Sequence, residues 1–203
     1  YARLFGFGST TNLGLDGETP GKIKPEKDWS RISIGQISMG HEVAVNTLQL
    51  ATAFSAIAND GYIVKPHIVK KIYGLNDKTK FYNKTKVKRK ISTEDVVIQI
   101  KNMLRKVVVS GTGTEADIQG WEVAGKTGTS QVFSMDKRSG DDVPEELRDH
   151  GLFIGFAPIN NPEIVIAVIV ENGGGGRVAA APVAEKIFSK FSEIGGREVN
   201  ESN

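Results

Sequence analysis

"GWEVAGKTGTSQ", residues 120–131, admits two incompatible readings. Gly120, Gly125, Lys126 and Thr127 fit G-x-x-x-x-G-K-[ST], the loop that cradles phosphate between a buried strand and a helix. Read as a β-strand, the same letters place a cation, two hydroxyls and a position without a side chain, Gly128, on successive residues. The flanks decide between them. A phosphate loop needs a buried strand before it, small residues that let the backbone wrap the ligand, and a helix starting at Lys-Thr. Here the preceding "GTGTEADIQ" is polar, and Trp121, Glu122, Val123 and Ala124 are bulky or β-favouring. Gly128 and Thr129 then disfavour a helix start. "IVIAVIVE" at 164–171 imitates a strand ending in an acid for Mg²⁺, yet the context is β on both sides of Lys126. A P-loop NTPase over Gly120 to Thr127 is kept only as the alternative.

The 203 residues suffice for one ordinary domain with a real core, and 39% hydrophobic with 25% charged residues is a normal globular composition. No apolar run approaches the ~20 residues a membrane-spanning helix needs. No secretion signal pattern is visible, and "YARLFGFGSTTNLGL" opens in mid-pattern, so the chain reads as a piece of a longer protein. The absence of cysteine excludes disulfides, thiolate catalysis and Cys-based zinc sites. His41, His67 and His150 are far apart, and His41-Glu42 lacks the second histidine of H-E-x-x-H, so neither a metal nor a cofactor is expected. Residues 65–90 hold ten Lys or Arg against one acid, Asp77. A basic interaction module is a second alternative. The favoured reading is a solvated β-hairpin protected by lysines, with no nucleic-acid partner, because the only aromatic platform there is Tyr73, Phe81 and Tyr82.

Along the chain, residues 1–35 are rich in turn formers and read as extended loop. Asn46 is a good N-cap, and Gln49 completes a capping-box spacing. Leu50, Phe54 and Ile57 then form a helical stripe padded by Ala51, Ala53 and Ala58, and Gly61 closes the helix. Residues 62–91 read as short strands and turns. A second helix starts near Ser92 with Glu94 and Asp95 in its first turn, and its expected buried stripe is Val96, Ile100, Met103, Leu104 and Val107. Three apolar segments follow, "WEVAGKTGTSQVF", "GLFIGFAP" and "EIVIAVIVEN", the last two joined by the turn "INNP". A final helix begins near Pro182 with the expected stripe Val183, Ile187, Phe191 and Ile194, and residues 195–203 are expected to be a disordered tail. Helices, then an antiparallel strand set, then a covering helix, make the fold class α+β.

An exposed edge strand carrying Lys126, Thr127, Gly128 and Thr129 can take an extended peptide as an added strand. Lys126 supplies a cation and the threonines supply hydroxyl donors, which together suit a peptide ending in a carboxylate. Gly128 leaves room where another backbone comes close. Strict alternation would send Lys126 and Gly128 to one face and the threonines to the other, so local twist must bring them together. The run "GGGG" at 173–176 before a helix is a weaker anion-binding candidate, since four successive glycines more often make a flexible turn.

"FGFG", "LGLDGETPGKIKP", "ISMGHEVAVNTLQLATAFSAIANDGYIVKPHIV", "VVSGTGT", "VAGKTGTSQ", "FIGFAP", "VIVENGGGG" and "AAPVAEKIF" occur in this order. The combination resembles the C-terminal half of the transpeptidase domain of class B penicillin-binding proteins, the elongation type most closely, from about Phe5 to Phe191. The resemblance implies an incomplete transpeptidase / β-lactamase-like fold over residues 1–194, an antiparallel sheet flanked by helices. The implied reaction cross-links peptidoglycan stem peptides through a serine acyl-enzyme that β-lactams trap. It implies that Lys126, Thr127, Gly128 and Thr129 bind substrate, that Lys126 tunes the site, and that the Thr129 N–H is half of an oxyanion hole. It implies an extracytoplasmic or periplasmic location, a parent protein anchored in the cytoplasmic membrane, and as partners the N-terminal half of the same domain and membrane proteins of the elongation machinery. The family's strand order puts "GLFIGFAP" between 123–133 and 164–171, with a strand from the other half along the third.

Two features depart from the family pattern. Asn46-Thr47 stands where the family has Thr-Pro. Ser-x-Asn is absent, and the one Ser-x-x-Lys, at 134–137, follows Lys-Thr-Gly in a polar loop instead of opening a buried helix. The nucleophile is therefore expected outside this chain, which is expected to be inactive alone.

Overall fold

The structure, a computed structural model, describes residues 1–75, 78–132 and 144–200, the last five as backbone only. The chain forms two compact units, Tyr1–Thr93 and the remainder from Glu94.

The first unit is built on one well-capped helix. Strand β1 (Lys22–Ile23) pairs antiparallel with β2 (Val43–Ala44), and a short helix α1 (Ser33–Ser38) lies between them in sequence. This helix, within or just beyond a stretch expected to be loop, was hidden by Gly35 and the glycines around it. Helix α2 (Thr47–Ala58) starts as its sequence requires. The Asn46 side chain accepts from the Gln49 N–H at 2.8 Å, and the Gln49 side chain accepts from the Asn46 N–H at 3.0 Å. The swap of a helix-opening Thr-Pro for Asn-Thr thus keeps a complete capping box. Gln49 is 2% exposed and donates to the Ser9 and Pro20 carbonyls, tying the preceding loop to the helix start. Gly61 follows the helix at φ 86°, a conformation that favours glycine. Ile57 is buried as expected, but the deepest positions are Gln49, Ala53, Ala56 and Ala58, with Leu50 and Phe54 partly buried.

Strand β3 (Tyr62–Val64) pairs with β6 (Val87–Lys90), and β4 (Lys71–Tyr73) pairs with β5 (Thr79–Tyr82). Every residue of β4 and β5 is exposed, so the basic block does lie on solvated hairpin strands. Lys71 stands over the Tyr82 ring at 5.6 Å and Lys90 over Tyr62 at 5.0 Å, so one aromatic of the block and one just before it seat the block's own cations.

The second unit opens with α3 (Glu94–Ser110), whose acids Glu94 and Asp95 face the positive end of the helix dipole. Then comes an antiparallel sheet of β7 (Ala124–Ser130), β8 (His150–Ala157) and β9 (Ile164–Val170), in that spatial order, with β8 central as expected. A short helix α4 (Gly176–Ala179) leads into α5 (Ala181–Asn200). The helix continues past residue 194, where a tail was expected; residues 201–203 lie outside those described.

The core of this unit gathers Val108, Val123, Phe153, Ile166, Ala181, Ala184 and Phe188. Trp121 meets Phe188 edge-on at 6.2 Å and stacks on Phe191 at 6.0 Å. Both helix stripes need correction. On α3, Val97 and Val108 are buried, whereas Val96 and Met103 are 43% and 63% exposed. "EDVVIQIKNMLRKVVVS" carries apolar residues on adjacent faces, so two helical phases fit the pattern equally and only the packing selects one. On α5, Ala181, Ala184 and Phe188 face the core, while Val183, Ile187 and Ile194 are exposed. Alanines there let the helix approach the sheet closely, a preference that a search for large apolar residues overlooks. On β9, Ile166 belongs to the core and Val168 packs against it, while Ile169 on the other face is 36% exposed. Among the described residues, β9 has a ladder on its β8 side only.

Asn46→Ala removes the acceptor for the Gln49 N–H and the amide that donates to the Thr19 carbonyl at 2.8 Å, and is expected to lower stability by about 1 kcal/mol; Asn46→Asp keeps the acceptor, loses that donor and is expected to lose less. Urea unfolding followed by circular dichroism measures both. Equal loss in the two variants would show that the cap contributes nothing.

Candidate functional site

The helix of a phosphate loop does not form. Gly120 sits in a turn at φ 83°, and Lys126 and Thr127 lie in mid-strand. The P-loop alternative is therefore wrong for this chain, because the dihedrals of a strand cannot open a helix at the same residues.

What places β7 is close approach of backbones. Antiparallel register sets Gly125 opposite Gly155, Lys126 opposite Ile154, Thr127 opposite Phe153, Gly128 opposite Leu152, Thr129 opposite Gly151 and Ser130 opposite His150. A Cβ on Gly125 would stand 2.5 Å from the Phe153 ring and 2.8 Å from the Ile154 carbonyl oxygen. One on Gly155 would stand 2.7 Å from the Ala124 carbonyl oxygen. Both positions thus require glycine, and the large Phe153 ring is accommodated beside them. Further along, a Cβ on Gly176 would run into the Leu152 and Gly128 carbonyl oxygens, and the Thr129 hydroxyl stands beside Gly175. In the glycine run at 173–176, read from sequence as a flexible turn, Gly174 has open space around it at φ 90°, whereas Gly176 is packed on Gly128 of β7 and Leu152 of β8.

On this strand Lys126 and Thr129 are exposed, and Thr127 and Gly128 are half-buried. Strand alternation separates Lys126 from the threonines, but the lysine is long enough to fold back. Its ammonium donates to the Thr127 carbonyl at 2.7 Å. The Thr127 hydroxyl is 2.6 Å from that of Thr112, either of which can donate. One cation and two hydroxyls therefore converge around Thr127. Thr112 was not singled out from sequence as a site residue. It stands between Gly111 and Gly113, where a Cβ would lie 2.8 Å and 3.2 Å from the Val107 carbonyl oxygen. That tight turn off the end of α3 delivers the Thr112 hydroxyl to β7, and "SGTGT" was the available signal.

The N-terminal end of β8 is fastened from below. His150 accepts the Asn172 N–H through Nδ1 at 2.9 Å, and the Asn172 amide donates to the Glu146 and Arg148 carbonyls at 2.9 and 3.1 Å. Arg105 spans to the start of β7, donating to Asp117 at 2.6 Å and to the Val123 carbonyl at 2.9 Å. Ser134–Lys137 lies outside the described residues. Among the described residues no group of three His, Cys, Asp or Glu side chains could hold a metal ion.

Fold and edge strand define an α+β domain with a Lys-Thr-Gly strand at the rim of an antiparallel sheet. The family model described as "Penicillin binding protein transpeptidase domain" matches residues 1–191, and the chain belongs to that family. It is 36% identical over 203 residues to the peptidoglycan D,D-transpeptidase MrdA of Acinetobacter baumannii, covering 93% of this chain and 30% of the relative. To MrdA of Haemophilus influenzae it is 34% identical, covering 94% and 32%. Stage V sporulation protein D of Bacillus subtilis is 33% identical, with 96% and 30% covered. The chain thus spans about a third of the length of the curated relatives it matches. Among solved structures, penicillin-binding protein 3 of Mycobacterium tuberculosis superposes with a TM-score of 0.81 at 29% identity, covering 96% of this chain and 45% of that one. That protein has also been solved with aztreonam and with ampicillin.

Gly176→Ala drives a methyl into two backbone carbonyls and is expected to cost about 1–3 kcal/mol, as overpacking does. Gly35→Ala, with open space around its Cβ, serves as the control. Thermal unfolding of the two variants reads the difference, and equal melting points would contradict the close packing.

Proposed function

We propose that this chain is the substrate-carboxylate half of a peptidoglycan D,D-transpeptidase of class B, elongation type, and that β-lactams bind it as substrate mimics. The observation that carries the reading is the meeting of the Lys126 ammonium and the Thr112 hydroxyl at Thr127 of the edge strand β7, in a chain of this family. An extended stem peptide lies along β7, and its terminal carboxylate accepts from the Thr127 and Thr129 hydroxyls while Lys126 offsets its charge. A serine from a Ser-x-x-Lys segment outside these 203 residues attacks the D-Ala-D-Ala carbonyl. The tetrahedral oxyanion accepts from the Thr129 N–H, the peptide C–N bond breaks, and the last D-Ala leaves with a proton. The amine of a neighbouring stem peptide then attacks the ester, forming the cross-link and returning the serine. Because the amines and peptides are outside the cytoplasm, so is this domain. Its parent is anchored in the cytoplasmic membrane beside the elongation machinery.

The other half of the domain completes the site. This chain alone has no Ser-x-Asn, and its single Ser-x-x-Lys at 134–137 is a chance match.

Two outcomes check this. The 203-residue chain is expected to show no stoichiometric adduct with a fluorescent penicillin by intact-mass measurement; an adduct at Ser134 would overturn the assignment of the nucleophile to another segment. When the Ser-x-x-Lys half is supplied, Lys126→Ala is expected to slow acylation roughly 10²-fold, the usual scale for losing one preorganised electrostatic contact. A rate within twofold of the wild type would remove Lys126 from the site.

A further inference from the structure

The turn that follows β9 runs from His150 to the backbone of β7 at Gly128. Asn172 adopts φ 53°, a left-handed conformation uncommon outside glycine. Three hydrogen bonds hold it there: its N–H to His150 Nδ1, and its side-chain amide to the Glu146 and Arg148 carbonyls. The chain then runs through Gly174, whose N–H donates to the Asp149 carbonyl at 2.8 Å, to Gly175 beside the Thr129 hydroxyl. It ends at Gly176, pressed on the Gly128 and Leu152 carbonyls. His150 itself faces Ser130, one position beyond Thr129 on β7. The same few residues thus set the height of the glycine run and the path of the Gly128–Thr129 peptide.

An imidazole can accept at Nδ1 only in its neutral form with the proton on Nε2. Protonation turns Nδ1 into a donor and sets it against the Asn172 N–H, two donors face to face. Imidazole is also the side chain whose charge changes around neutrality. We infer that His150 is a positioning residue for the Thr129 end of the ligand strand, and that it serves only while neutral, so the site loosens as pH falls. The inference rests on the reading of β7 as the ligand strand.

The charged residues that flank His150 and Asn172 along the chain are Glu145, Glu146, Arg148, Asp149 and Glu171. Ser130 opposite is neutral, and Arg177 of α4 is paired with Glu115 at 3.4 Å. The Asp149 carboxylate accepts from the Val132 N–H at 3.3 Å. The sign follows from competition for one lone pair: a proton and the Asn172 N–H exclude each other, so the clamp is strongest at high pH and is lost on acidification.

The test is an NMR pH titration of the isotope-labelled 203-residue chain. The Asn172, Gly174 and Thr129 amides are expected to shift together on the same one-proton curve as the His150 ring signals. His150→Asn replaces Nδ1 with an amide oxygen that accepts and does not titrate. It is expected to keep the high-pH shifts of these amides and to abolish the inflection. An Asn172 amide that ignores the His150 titration, a Thr129 amide that does not follow it, or an undiminished inflection in His150→Asn would each overturn the inference. Should the variant not fold, the wild-type titration alone decides. The readout requires no acylation, so it stands or falls separately from the transpeptidase reading. Where the complemented domain acylates, its rate should fall with the same curve in the wild type and not in His150→Asn; identical profiles would also overturn the inference.

Discussion

Backbone against backbone, with no side chain between, is the constraint on which the second unit depends. Gly125 and Gly155 face each other across β7 and β8, and each lies where a Cβ would collide with a carbonyl of the neighbouring strand or with the Phe153 ring. Gly176 repeats the device one turn of chain away, lying on Gly128 and Leu152. Glycine in a strand ordinarily weakens it, through backbone entropy and lost packing. Here the cost is offset because each one admits a neighbour, first the aromatic core around Phe153 and Phe188, then the turn before α4. A strand so held is pinned along its length, and a pinned edge is what fixed hydroxyls and a cation require if they are to meet a ligand without reorganising.

The site adds reach to that frame. Lys126 points away from the threonines by strand alternation, and it is the length of its side chain that returns the ammonium to the Thr127 carbonyl. Thr112 arrives from a different direction, through a turn at the end of α3 whose flanking glycines crowd the Val107 carbonyl. The two hydroxyls of Thr112 and Thr127 share one short contact, which orients Thr127 before any ligand arrives. Each of these contacts lies within the second unit, so the candidate site is assembled by residues from Glu94 onward.

How much of this was legible follows from the range of each interaction. The capping box at Asn46 and Gln49 was readable because both partners lie within one turn of helix. The order of β7, β8 and β9 was readable because two are joined by a short turn and the resemblance supplied the third. The buried faces of α3 and α5 were not, because "VVIQI" and "APVAEKIF" offer apolar residues in two phases and only the neighbouring elements choose. Thr112 and His150 were missed for a related reason. Each is ordinary in its local sequence, and its partner lies 15 or 22 residues away, across a fold that composition does not encode. Gly176 could not be told from its turn-forming neighbours in the run at 173–176, because close packing and flexibility both favour glycine and only the atoms around it separate them.

The account's central claim is that β7 is a carboxylate-binding edge strand. A crystal structure of the whole transpeptidase domain, this chain with its Ser-x-x-Lys half, acylated by ampicillin tests it most directly. The antibiotic's carboxylate should lie within hydrogen-bond distance of the Thr127 and Thr129 hydroxyls, with its acyl oxygen on the Thr129 N–H. An acylated domain whose antibiotic carboxylate points away from β7, leaving the Thr112–Thr127 pair untouched, would contradict it.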